Sequence, residues 1–245
     1  MAAKVIWNNN RKFSINYEIV NNDKDKVIVF LHGWGSNKEV MKKAFANQLG
    51  EFKHIYIDMP GFGKSENDHI LTTIDYASVM KDFLEELGIN PNDALIAGHS
   101  FGGKVATMLM PKLLILLSSA GILETKSAKT LLTIRMAKIF NRFGLNKVNK
   151  MLRSKDVDNM PQNMYETFKN VVDEDFSEYF AGFYKQALIF WGTKDEATTL
   201  SSGITINKLI KNSEFKSYDG DHYFFMNHAD DICDMIISHI KNTKS

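Results

Sequence analysis

Short apolar runs alternate with helical patterns along most of this chain, and that alternation constrains its fold more than any other feature. Strands of a parallel sheet are buried on both faces, so they read as continuous apolar runs. Val27–Leu31 is such a run, and it stops at His32-Gly33. The pattern predicts an α/β protein with a mostly parallel sheet and helices on both faces. The predicted strands are Phe13–Val20 (at an edge), Val27–Leu31, His54–Asp58, Ala94–Ala97, Leu113–Leu117, Ala187–Trp191 and Phe215–Tyr218.

Two helices are predicted from apolar residues that recur every three to four positions. Thr72–Leu87 ends at Gly88, a residue that commonly follows a helix, and Asp230–Ile240 closes the chain. The buried stripe of the first helix is expected to contain Ile74, Met80, Phe83, Leu84 and Leu87.

One stretch interrupts the alternation of strands and helices. From 122 to 185 the pattern is helical, with no strand candidate, and it lies between two predicted strands. We therefore expect residues 1–121 and 186–245 to form one core, and residues 122–185 to form a helical lid inserted into it.

The composition excludes several classes of protein. Of 245 residues, 44% are apolar and 24% charged, which suffices to bury a core without crosslinks, and Cys233 has no second cysteine to pair with. The net charge of +1 provides no positive field for nucleic acid. No apolar run approaches the ~18 residues of a membrane span, and the N-terminus lacks the apolar stretch of a secretory signal. We expect a cytoplasmic monomer or homodimer that binds neither nucleic acid nor membranes.

The near-neutral total conceals two opposed charge clusters in the expected lid. Residues 156–185 hold seven acidic residues against Lys169 and Lys185. Residues 122–155 hold nine basic residues against Glu124, a pattern that fits either a solvated helix face or a surface for an acidic acyl carrier such as acyl carrier protein or coenzyme A. The basic residues are Lys126, Lys129, Arg135, Lys138, Arg142, Lys147, Lys150, Arg153 and Lys155.

Three glycine-rich loops resemble nucleotide-binding motifs, and each fails a requirement of its motif. The loop Gly61–Ser65 would need a glycine where Asp58 stands, and a carboxylate there repels phosphate. The loop Gly98–Lys104 is followed by Val105 where a metal-binding hydroxyl is required. Gly33-Trp34-Gly35 lacks the third glycine of a dinucleotide fingerprint. No spacing typical of a metal site occurs either.

A fourth loop, Gly98-His99-Ser100-Phe101-Gly102, satisfies its motif and its context. A predicted strand, Ala94–Ala97, precedes it and the apolar stretch Val105–Leu109 follows, so Ser100 lies at a strand-to-helix turn. In such a nucleophile elbow the turn is so tight that side chains at the glycine positions would collide, and the serine hydroxyl is exposed above the sheet. The next backbone N–H, that of Phe101, begins the helix and faces the substrate.

A serine nucleophile needs a base, and the base needs a carboxylate to orient it. His222 lies in the loop after the last predicted strand, and Asp195 follows the strand before it. Both stand after the serine in the chain, in the order acid, then base. Glu196 and Asp219 are nearby alternatives for the acid, whereas Asp221, the immediate neighbour of the base, would need contorted geometry.

Together these motifs resemble the successive signatures of the α/β-hydrolase superfamily. The resemblance implies an eight-stranded, mostly parallel sheet and an oxyanion hole formed by the backbone N–H groups of Trp34 and Phe101. The chemistry expected of these residues needs no cofactor. The resemblance also makes Gly33, Gly35, Gly98 and Gly102 motif glycines. His32 is interpreted as bracing its loop and His99 as packing beside the elbow. The segments that carry the resemblance are His32–Ser36, Asp58–Ser65, Gly98–Gly103, Trp191–Asp195 and Gly220–His222.

The sequence departs from that family's pattern after the elbow. Only about ten residues separate Gly103 from the strand at Leu113, and Pro111 is among them, so we expect a short helix there.

The function expected from these residues is that of a serine hydrolase. Ser100 would form an acyl-enzyme with a small-molecule carboxylic ester or thioester, with His222 as base and Asp195 as acid. The Trp-Gly loop and the basic lid are similar to those of the pimeloyl-carrier-protein methyl ester esterases. The gross pattern also resembles the carbon–carbon bond hydrolases of 2-hydroxy-6-oxo-dienoates, which usually carry Asn where His99 stands. A ligand-binding protein without turnover is the alternative outside enzymology.

Overall fold

The computed structural model describes residues 2–123 and 161–242, and its strands form one sheet. The eight strands are β1 (Ala2–Asn8), β2 (Arg11–Val20), β3 (Lys26–Leu31), β4 (Phe52–Ile57), β5 (Leu95–His99), β6 (Leu113–Leu117), β7 (Gln186–Gly192) and β8 (Ser213–Tyr218). Their order across the sheet is β1-β2-β4-β3-β5-β6-β7-β8. β2 is antiparallel to both of its neighbours, and all other pairs are parallel. The mostly parallel eight-stranded sheet expected from the sequence is confirmed.

The prediction that Phe13–Val20 lies at an edge is wrong. β1 pairs with β2 from Ala2–Tyr17 to Asn8–Arg11, so β2 is the second strand and β1 occupies the edge. β1 alternates between buried and exposed side chains, but it opens with two alanines and a lysine, so its apolar pattern is weak.

Side chains of the central strands alternate between two buried clusters, one on each face of the sheet. In β3, Val29 and Leu31 belong to one cluster, and Ile28 and Phe30 to the other. All four are essentially inaccessible to water, as expected for a strand buried on both sides.

Seven helices lie within the described residues. They are α1 (Lys38–Phe45), α2 (Thr73–Glu86), α3 (Phe101–Met108), α4 (Gln162–Val171), α5 (Ser177–Gly182), α6 (Leu200–Leu209) and α7 (Phe225–Asn242). Buried residues of α2, α3 and α6 join the first cluster, and those of α1 and α7 join the second, so helices cover both faces. The helix after the elbow, α3, has 8 residues and is short, as expected.

Helix α2 begins where a reciprocal pair of side-chain bonds caps it. Thr72 accepts a hydrogen bond from the N–H of Asp75, whose carboxylate accepts from the N–H of Thr72. The predicted buried stripe holds for Met80, Phe83 and Leu84, but Ile74 in the first turn is 54% exposed, so its assignment to the core is wrong.

The expected lid, 122–185, lies only partly within the described residues. Residues 124–160, which contain the basic cluster, lie outside them. Between 161 and 185 the chain forms α4 and α5, and buried residues there, such as Met164 and Phe180, share one cluster with sheet residues. Among the described residues, no helix is long and apolar enough to cross a membrane.

Candidate active site

The nucleophile elbow lies at the carboxyl end of β5, where the chain turns into α3. Ser100 occupies the turn with φ 51° and ψ −117°, a backbone conformation that costs a non-glycine residue of order 1–3 kcal/mol. Its N–H donates to Leu117 O of the neighbouring strand at 3.1 Å, and its carbonyl accepts from Gly103 and Ala120. The strained position is therefore held by backbone bonds on both sides.

Two glycines allow this turn to pack against the sheet. A Cβ on Gly102 would lie 2.5 Å from the carbonyl oxygen of Leu31, and one on Gly98 would lie 2.3 Å from that of Gly102. Both neighbours are backbone atoms that cannot move aside, so only glycine fits at either position.

The two side chains expected to activate the serine are hydrogen-bonded to each other. His222 Nδ1 lies 2.7 Å from Asp195 Oδ2. An ionised carboxylate only accepts, so Nδ1 carries the proton and Nε2 of the neutral imidazole presents a lone pair. This is the tautomer that a general base requires.

Asp195 is buried, and its carboxylate is satisfied by several donors. Oδ1 accepts from the N–H groups of Ala197 and Thr198 at 2.8 and 2.9 Å, and Oδ2 accepts from the Thr198 hydroxyl at 3.0 Å. Burial by itself raises the pKa of Asp195, but the hydrogen bonds from His222 and Thr198 outweigh it and hold the pKa below its ordinary value. Asp195 is therefore an anion at neutral pH.

His99 connects the elbow to the loops around it. Its Nε2 donates to the carbonyl oxygen of His222 at 3.0 Å, and the centroids of the two rings are 4.5 Å apart. A Cβ on Gly33 would lie 3.0 Å from His99 Nδ1 and 3.1 Å from the Cβ of Ser100. One buried ring thus contacts both the base loop and the Gly33–Gly35 loop, and burial lowers the pKa of His99 to about 3, so the ring is neutral.

The two residues expected to supply the oxyanion hole pack against each other. The rings of Trp34 and Phe101 are 5.6 Å apart, and Trp34 also contacts Phe62 and Phe168 of α4. Phe101 is the first residue of α3, so its N–H has no acceptor within the helix. Gly35 follows Trp34 with φ +71°, a conformation that favours glycine.

His32 supports the Gly33–Gly35 loop, and both nitrogens of its ring are hydrogen-bonded. His32 donates from Nδ1 to Gly33 O at 2.8 Å and accepts at Nε2 from Met59 N–H at 3.1 Å. Both nitrogens are used by the neutral ring, and burial lowers the pKa of His32 to about 4. His32 braces its loop, as interpreted from the sequence.

Asp58 explains why the Gly61–Ser65 loop is not a phosphate site. Its carboxylate accepts from Lys38 N–H at 2.8 Å, from Lys38 Nζ at 2.7 Å and from Lys64 N–H at 3.0 Å. A Cβ on Gly63 would lie 2.3 Å from the carboxyl carbon. The space that a phosphate would need is filled by the protein's own carboxylate.

Lys104, on α3, is a buried cation with a defined partner. Its Nζ donates to Val171 O at 2.6 Å and to Glu174 Oε2 at 2.9 Å. Burial lowers the pKa of Lys104, while Glu174 opposes that shift. The helix that follows the nucleophile is therefore tied to the segment between α4 and α5.

The fold of the chain agrees with a comparison against known families. The family model described as the alpha/beta hydrolase family matches residues 28–208. The chain belongs to this family. Membership in this family agrees with the mostly parallel eight-stranded sheet.

Known relatives and solved structures are similar to this chain to different extents. It is 32% identical over 82 residues to a pimeloyl-[acyl-carrier protein] methyl ester esterase of Pectobacterium carotovorum, a match that covers 34% of this chain and 30% of that protein. It is 42% identical over 82 residues to the protein of that name in Shewanella woodyi, covering 33% and 28%. The chain thus aligns with less than a third of these relatives' length. A thermophilic esterase from Thermogutta terrifontis has a similar fold, with a TM-score of 0.74 and 16% identity over the whole of both chains.

Three residues of the candidate site were not predicted from the sequence. No local motif predicts the polar contacts of Thr198, Lys38 and Glu174, because the fold brings their partners close to them. The hydrogen-bonding potential of Thr198, three residues after a candidate acid, was the one local signal. Among the described residues, no group of three or more His, Cys, Asp or Glu side chains is placed to hold a metal ion.

Proposed function

We propose that this chain is a serine hydrolase that cleaves a carboxylic ester through an acyl-enzyme on Ser100. The observation that carries the proposal is the 2.7 Å hydrogen bond between His222 and Asp195 on loops that meet the elbow through His99. A binding protein has no need of a buried carboxylate that fixes the tautomer of a neighbouring imidazole.

The proposed reaction follows from the protonation states of the site. His222 Nε2 takes the proton from the Ser100 hydroxyl as the oxygen attacks the ester carbonyl. The negative charge that develops on the carbonyl oxygen is stabilised by the N–H groups of Trp34 and Phe101, the latter at the start of a helix. Asp195 stabilises the imidazolium. His222 then protonates the leaving alcohol, and water releases the acyl group by the same steps.

A fluorophosphonate probe tests this proposal directly, because it reacts with an activated serine. We expect it to label wild type at Ser100 and to leave Ser100→Ala unlabelled. A panel of p-nitrophenyl esters of increasing chain length, with a 2-hydroxy-6-oxo-dienoate beside it, reports the reaction class. Absence of labelling in folded wild type would contradict the proposal that the chain is a serine hydrolase. Turnover of the dienoate but of none of the esters would instead indicate a carbon–carbon bond hydrolase.

A carrier-linked ester is the substrate class that we propose next. Relatives that share 32–42% identity over about a third of the chain are named for an acyl-carrier-protein ester, and the nine basic residues within 122–155 complement an acidic carrier. Attraction between exposed charges weakens as salt rises. We expect the carrier-linked methyl ester to be hydrolysed faster than the free ester, with an advantage that shrinks between roughly 20 mM and 500 mM salt. Equal rates at low salt would contradict the carrier.

A further inference from the structure

Thr198 uses all of its polar groups at the site. It lies between β7 and α6, three residues after Asp195, and its N–H and hydroxyl both donate to that carboxylate. Its own carbonyl accepts from the indole N–H of Trp191 at 2.9 Å, which fixes the backbone of the loop. The side chain is therefore presented to Asp195 from an anchored position.

The two oxygens of the Asp195 carboxylate have different partners. Oδ1 is held by two backbone N–H groups, from residues 197 and 198, which almost any side chain there would leave in place. Oδ2 is the oxygen that pairs with His222, and it also accepts a hydrogen bond from the Thr198 hydroxyl at 3.0 Å. The side chain at position 198 thus acts on the atom that faces the base.

The Thr198 hydroxyl can donate one hydrogen bond, and two acceptors lie within hydrogen-bonding distance of it. Its oxygen lies 3.0 Å from Asp195 Oδ2 and 3.1 Å from the carbonyl oxygen of Ser118, and both of these accept. His222 Nδ1, at 3.4 Å, carries its own proton and does not accept. Donation to Asp195 draws negative charge away from Oδ2, whereas donation to Ser118 leaves that charge for His222. The direction of this proton therefore sets how strongly the carboxylate holds a protonated imidazole.

We propose that Thr198 is a positioning residue for the base: its hydroxyl fixes the Asp195 carboxylate and moderates the charge that Asp195 presents to His222. This rests on the proposed function, in which those two residues are the acid and the base. A valine of the same shape would keep the fold and both backbone donors and lose only the hydroxyl.

Other charged groups around the pair do not compete with this effect. From β5, His99 faces His222 as a neutral ring. In the loop after β8, Asp221 is exposed, and its carboxylate accepts from Tyr223 N–H. On the Asp195 loop, Glu196 is exposed and Lys194 pairs with Asp219 at the surface. Within the described residues, Asp195 is the buried charge that His222 contacts.

The test compares Thr198→Val with Thr198→Ser, which restores the hydroxyl. In Thr198→Val, we expect kcat/KM for a p-nitrophenyl ester to fall by roughly 3- to 10-fold, the equivalent of one hydrogen bond. Without the hydroxyl, Oδ2 holds the imidazolium more tightly, so the acidic limb of the pH profile moves to higher pH by about half a unit. Thr198→Ser should return both values to those of wild type. A merely structural role would lower the rate at every pH without moving the limb.

A second measurement separates this proposal from the proposed function. The imidazole resonances of His222, assigned with His222→Gln, can be titrated by NMR in proteins that carry Ser100→Ala and do not turn over. We expect the His222 titration midpoint to rise in the Thr198→Val background and to return in Thr198→Ser. An unchanged or lower midpoint overturns the role of Thr198, whatever Ser100 does. Conversely, a raised midpoint in a protein that the fluorophosphonate does not label upholds Thr198 and rejects the hydrolase.

Discussion

Asp195 and Glu196 are adjacent acidic residues, and the fold buries only the first of them. Asp195 is buried and accepts four hydrogen bonds, among them the one from His222. Glu196 is exposed to solvent. Only the first can hold an imidazole in one tautomer, because a solvated carboxylate has no fixed geometry.

Replacing each carboxylate by its amide tests this assignment. In Asp195→Asn, the amide stabilises the wrong tautomer of His222, and we expect kcat/KM to fall by about 10³- to 10⁴-fold. Glu196→Gln serves as the matched control and should stay within about twofold of wild type, as exposed substitutions usually do. A larger loss in Glu196→Gln than in Asp195→Asn would reverse the assignment.

At the scale of elements, the ion pair between Lys104 and Glu174 joins α3 to the chain between α4 and α5. The lysine side chain is 2% exposed and the glutamate side chain 25%. Glu174 also accepts a hydrogen bond from Thr73 at the start of α2. One carboxylate therefore links three parts of the chain beside the nucleophile helix.

The unequal burial of this pair predicts unequal effects of breaking it. Glu174→Gln leaves a buried ammonium without its counter-ion, and we expect a loss of about 3 kcal/mol in the free energy of unfolding. Lys104→Met leaves a carboxylate that still reaches water, so the loss should be nearer 1 kcal/mol. Urea denaturation of both variants and of the double variant measures this. The double variant should be more stable than Glu174→Gln. The opposite order would show that the loss in Glu174→Gln does not come from the unpaired charge of Lys104.

Elements that depend on local pattern could be predicted from the sequence, and elements that depend on distant partners could not. The predicted strand Leu113–Leu117 matches the observed strand to the residue, because the apolar run is bounded by Pro111-Lys112 before it and by Ser118-Ser119 after it. β1 was missed because its alternation becomes visible only when it pairs with β2.

The same division applies to the site. The elbow and the order of Asp195 and His222 follow from local motifs, and the structure brings these two side chains within hydrogen-bonding distance. Lys104 stood in a loop that resembled a phosphate site, and its partner Glu174 lies 70 residues further along. His99 was expected only to pack beside the elbow, because its contact with His222 spans 123 residues.

At the scale of the whole molecule, three buried histidines, His32, His54 and His99, make the fold sensitive to acid because burial lowers the pKa of each. Burial is the main cause that lowers the pKa of His32 to about 4 and of His99 to about 3, against 6.5 for an ordinary histidine. Between those values the unfolded chain binds protons that the folded protein does not. The free energy of unfolding therefore falls as pH decreases from about 6.5 towards 4.

Removing one of these histidines should flatten that dependence. The phenyl ring in His99→Phe cannot titrate, so one proton fewer is taken up on unfolding. We therefore expect the slope of the free energy of unfolding against pH, between pH 6 and pH 4, to decrease by up to about 1.4 kcal/mol per pH unit. Urea denaturation at several pH values measures the slope, and His99→Gln, which also cannot titrate, is the control for ring packing. A slope equal to that of wild type in both variants would mean that His99 is protonated in the folded protein.

The strained backbone of Ser100 has an evolutionary consequence. The tight turn is permitted by Gly98 and Gly102 and held by backbone hydrogen bonds of Ser100, none of which involves its side chain. The strain therefore belongs to the position and not to the serine. Another nucleophilic side chain, such as that of cysteine or aspartate, would inherit the same exposed place above the sheet without any change in the scaffold. A lineage built on this elbow can exchange its chemistry by a single codon while the fold that supports it stays the same.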